Sequence, residues 1–113
     1  LLETPLGDFA LSPAYDLLAT SIHLPDESRT ALDFFEGDHE TPSFQRNGFY
    51  KREDFMELAK RFGMLPQRAE LALQAFGESE AQVLELVQRS LLSSDAKAAY
   101  LGIYRDRIRA ISS

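Results

Sequence analysis

Cysteine is absent from this chain of 113 residues. That excludes disulfides and thiolate metal sites, fits a reducing compartment, and makes the cytoplasm the expected location. Histidine is nearly absent too: His23 and His39 stand 16 positions apart with no His-x3-His or Cys partner, so neither belongs to a credible zinc site. No apolar run approaches the ~20 residues that span a bilayer, and no secretory signal pattern opens the sequence, so no membrane partner is expected. Basic residues are scarce in the front part. Up to Gly48 nine acids face only Arg29 and Arg46, a net −7, whereas the remainder carries ten bases and nine acids, a net +1. Phosphate neutralisation needs clustered Lys and Arg, so direct nucleic-acid binding is not expected. An acidic front suits a metal-proximal surface or a basic partner, and a solvated face explains it as well. A Gly-rich loop able to cradle phosphate is also missing.

What is present is enough for one core: 44% of the residues are hydrophobic, and nothing hints at a second domain. Residues 1–113 are therefore read as a single, mainly α domain. It divides into a β-hairpin with a carboxylate-bearing turn (1–20), a loop-rich stretch (21–50) and a helical bundle (51–113). In the first part, Leu1-Leu2-Glu3 and Phe9-Ala10-Leu11 flank Thr4-Pro5-Leu6-Gly7-Asp8, whose Pro and Gly supply the fixed and the positive φ of a chain reversal. Next comes Ser12-Pro13-Ala14-Tyr15-Asp16, which puts one carboxylate where a strand ends and a turn begins. A lone Asp in such a place is usually a turn or capping residue, because its oxygens bond nearby backbone N–H groups.

The whole run Phe9-Ala10-Leu11-Ser12-Pro13-Ala14-Tyr15-Asp16-Leu17-Leu18 resembles the segment that follows the catalytic loop in HipA-like serine/threonine toxin kinases. The resemblance implies that Asp16 is a magnesium ligand, in the role of the Asp of Asp-Phe-Gly in other protein kinases. Tyr15 would then pack under the metal loop and orient it, although an ordinary core tyrosine accounts for it equally well; Pro13 shapes the turn. In that family a loop reading roughly His-Gly-Asp-x-His-x-Lys-Asn-Phe supplies the catalytic base, and this chain contains none. It is accordingly expected to be the C-terminal piece of a longer protein, with one metal ligand and no catalytic residue. For the intact protein the family implies Mg²⁺ and ATP as co-substrate, and phosphorylation of a protein, usually a translation component. It also implies neutralisation by a DNA-binding antitoxin. The stretch after Asp16 corresponds to a kinase activation segment, so Thr20, Ser21, Ser28 and Thr30 are candidate regulatory hydroxyls, against the commoner reading as surface Ser and Thr.

Leu17-Leu18-Ala19-Thr20 reads as a helical turn, 21–29 as loop, 30–35 as a short strand or helical turn, and 36–47 as a mobile surface connection. Beyond Lys51 the period is helical. Phe55, Leu58, Ala59 and Phe62 form one stripe that ends at Gly63. Pro66 opens a second helix with Ala69, Ala72, Leu73 and Phe76 inward, stopped by Gly77. A third runs from about Ser79 to Leu92 with Val83, Leu84, Val87 and Leu91 inward. The fourth follows Ser93-Ser94, with Ala96, Ala99, Tyr100, Ile103 and Arg107 on one face.

Two readings compete with the kinase. In one the domain is a non-catalytic helical interaction module, Asp16 is only a cap, and exposed Phe44, Phe49 and Tyr50 anchor a partner. In the other, residues 55–69 form a helix-turn-helix that reads bases with Gln67, Arg68 and Glu70, which the acidic balance and Pro66 at the turn disfavour.

Overall fold

Pro5 and Gly7 do turn the chain. Gly7 sits at φ +81°, its N–H bonds to the Thr4 carbonyl at 3.0 Å, and Thr4 N–H bonds to the Asp8 carbonyl at 2.8 Å. Strands β1 (Leu2–Glu3) and β2 (Phe9–Ala10) pair antiparallel, Leu2 opposite Ala10 and Glu3 opposite Phe9. This computed structural model describes residues 1–15, 17–24, 30, 32–35, 37 and 41–113. Asp16, Ser28 and His39, singled out above, lie outside the described residues.

A 3-10 turn at Thr20–Ile22 follows, starting three residues later than the expected helical turn, and it packs against the last helix. Five α-helices come next: α1 (Pro42–Asn47), α2 (Arg52–Arg61), α3 (Pro66–Gly77), α4 (Glu80–Arg89) and α5 (Ser94–Ser112). Helix α1 replaces part of the connection expected over 36–47. Thr41 is its N-cap, accepting from Phe44 N–H at 3.0 Å, Pro42 takes the first helical position, and Gly48 closes it at φ +72°.

Helix α2 ends in a Schellman motif: Gly63 N–H bonds to the Lys60 carbonyl and Met64 N–H to the Ala59 carbonyl, both at 2.9 Å, with Gly63 at φ +69°. The motif displaces Phe62 from the stripe predicted for it. As the C-cap it leaves the helical path and is 76% exposed. Gly77 is the last residue of α3, with Glu78 as C-cap, and Phe76 beside it is exposed rather than inward. Helix α4 stops three residues short of Leu92, because Ser90 turns extended and its hydroxyl donates to the Val87 carbonyl at 2.6 Å. Leu91 is thereby left in solvent. Ser93 caps α5 as expected, accepting from Ala96 N–H at 3.3 Å.

Helix α5 is the spine, in contact with α2, α3, α4 and the 3-10 turn. Only Phe35, Tyr50, Ala59, Ala69 and Val87 are buried apolar residues among those described. The Cα radius of gyration is 16.6 Å, against about 13 Å for a compact domain of this length. Accessible surface reaches 8975 Å², where a compact monomer of this mass exposes roughly 6,200 Å². Many large apolar side chains are exposed, among them Leu1, Leu6, Phe9, Leu17, Phe62 and Leu91.

Candidate functional site

The residues flanking Asp16 share one property. Leu11, Tyr15, Leu17 and Leu18 are all exposed, Tyr15 by 73% and Leu17 by 85%. Tyr15 is therefore not the core tyrosine of this domain. Both strands of the hairpin are exposed as well. Two-stranded ribbons are marginal by themselves in water, so this one gains little from the described residues around it. Among the described residues no group of three or more His, Cys, Asp or Glu could hold a metal ion.

Of the candidate regulatory hydroxyls, Thr20 and Ser21 stand half-buried in the 3-10 turn, and Thr30 is half-buried. His23 is exposed.

The segment that rejoins the helices is held by an aromatic cluster that sequence patterning does not reveal. The Phe34 ring stacks on Tyr50, centroids 3.9 Å apart and planes 8° from parallel, and meets Phe55 edge-on at 4.7 Å. Phe44 closes on Tyr50 from α1 at 4.7 Å. The Tyr50 hydroxyl accepts from Phe34 N–H at 3.1 Å, and the Arg61 guanidinium lies 4.2 Å from the Phe35 ring centre. Tyr50 is consequently only 5% exposed, and Phe44 and Phe49 are half-buried. These three do not form the exposed anchor the interaction-module reading gave them. Beside the cluster lies an apolar cavity of about 500 Å³, walled by Phe34, Tyr50, Phe55, Phe76, Tyr104 and Ile108 among others.

The helix-turn-helix candidate is the α2–α3 pair. Gln67 and Arg68 are exposed on the first turn of α3, but Glu70 is engaged: its carboxylate accepts from Arg52 on α2. That hydrogen bond holds the Glu70 carboxyl below its ordinary range, with the Arg52 charge acting in the same sense and burial opposing it. The Arg52 guanidinium is correspondingly pushed up, chiefly by the same bond.

Asp54 stands with Glu53 in the first turn of α2, where the sequence places both acids at the positive end of the helix dipole, but its burial is not visible in the sequence. Asp54, 2% exposed, accepts from the Lys51 backbone N–H at 2.7 Å and from the Thr41 hydroxyl. With both oxygens occupied by these donors at the start of α2, it serves as a capping group. The signals were present in Thr41-Pro42, a cap followed by Pro, and in an acid three positions into the next helix.

Among the described residues no helix is long and apolar enough to cross a membrane. No family model matches this chain, and neither curated proteins nor solved structures contain a significant match.

Proposed function

We propose that this chain is the C-terminal part of a cytoplasmic HipA-like serine/threonine protein kinase. In the intact protein it would supply one magnesium ligand to transfer of the ATP γ-phosphoryl to a protein substrate. The reading rests on one observation above the others: Ser12-Pro13-Ala14-Tyr15-Asp16 is separated only by Leu11 from the second strand of an antiparallel hairpin, and its sequence neighbours Leu11, Leu17 and Leu18, like Tyr15 within it, are exposed. A carboxylate oxygen is a hard donor of the kind Mg²⁺ takes together with phosphate oxygens. When bound, the ion neutralises charge on the phosphates being separated. The exposed hydrophobic side chains next to Asp16 in sequence are explained if further polypeptide packs over them.

In this reading the helices are the base of the lobe. The 3-10 turn rests on α5, and Phe34 stacks on Tyr50. The substrate is a protein, in that family a translation component, and the partner a DNA-binding antitoxin. The catalytic base and the lysine that contacts phosphate would be contributed by polypeptide upstream of Leu1.

The same exposed apolar surface favours a second reading, a non-catalytic helical module that binds another protein. Incubating the full-length protein with γ-labelled ATP and Mg²⁺ separates them. Label on serine or threonine of a protein supports the kinase, and absence of both transfer and ATP turnover supports the module.

A further inference from the structure

We draw no further inference here: the strongest candidate, the open apolar groove between α2, α3 and α5 lined by Phe55, Phe76 and Ile111, carries nothing because no feature of the structure shows what covers it.

Discussion

The Thr41 hydroxyl donates to the buried Asp54 carboxylate and accepts from Phe44 N–H at 3.0 Å, so one side chain ties the first turn of α1 to the first turn of α2. Removing either partner strands a buried group. Asp54→Ala is expected to cost about 2–3 kcal/mol of unfolding free energy and Thr41→Val about 1–2. Because the two residues share a bond, the double substitution should cost less than the sum of the singles by about 0.5 kcal/mol or more. Urea unfolding followed by helical circular dichroism measures all three. Strict additivity would contradict the direct link.

Ser43 makes the opposite prediction. Its hydroxyl is buried and has no hydrogen-bond partner among the described residues. Alanine removes an unsatisfied polar group and has the higher helix propensity. Ser43→Ala should raise stability by about 0.5–1.5 kcal/mol in the same assay. A loss of more than about 0.5 kcal/mol would mean the hydroxyl has a partner after all.

Tyr50 contributes through the packing of its ring and through its hydroxyl, which accepts from Phe34 N–H. Tyr50→Phe keeps the stack on Phe34 but leaves Phe34 N–H without its acceptor, an expected loss of about 1–2 kcal/mol. Tyr50→Ala opens a cavity beside Phe34 and Phe44 and should cost about 3–5. Equal losses for the two variants would show that the ring packing contributes nothing beyond the hydroxyl.

The Arg52–Glu70 brace between α2 and α3 predicts a pH dependence. The folded-state value of Glu70 is depressed, chiefly by the hydrogen bond from Arg52. Its contribution is therefore fully present above the unfolded value near ~4.3. It disappears as pH falls through the lower folded value. The difference in thermal midpoint between the native chain and Glu70→Gln should be constant near neutrality and shrink towards zero in acid. A difference that persists unchanged to pH 2 would show that the carboxylate charge plays no part.

The helical half was legible from its periodicity because each helix carries its own punctuation: Gly63 at a positive φ, Pro66 at a first position, Ser93 as a cap. The hairpin was legible from Pro5 and Gly7. Inward stripes failed for the large side chains at helix ends, where Phe62, Phe76 and Leu91 belong to the apolar period yet are exposed, and for the small Ala72 and Ala99 within α3 and α5. Periodicity records which residues are apolar but not where a cap bends the chain away. Helix α1 was hidden because six residues are too few to show a period, and only Thr41-Pro42 marked it. The aromatic cluster was hidden for another reason. Phe34 and Tyr50 are 16 positions apart, and nothing local states that a loop residue will stack on one between two helices. For the candidate site, residue type and motif pointed to Asp16. The exposure of its apolar neighbours is information that only the fold supplies.

The central claim is tested most directly by Mg²⁺-dependent γ-phosphoryl transfer in the full-length protein, native and Asp16→Asn, with thermal unfolding of both as the control. The account predicts transfer by the native protein that is abolished by chelating Mg²⁺. It also predicts a loss of at least ~100-fold in Asp16→Asn, since a metal ligand stabilises charge in the transition state, with a nearly unchanged unfolding midpoint. An Asp16→Asn protein that still transfers phosphate at the native rate would contradict it.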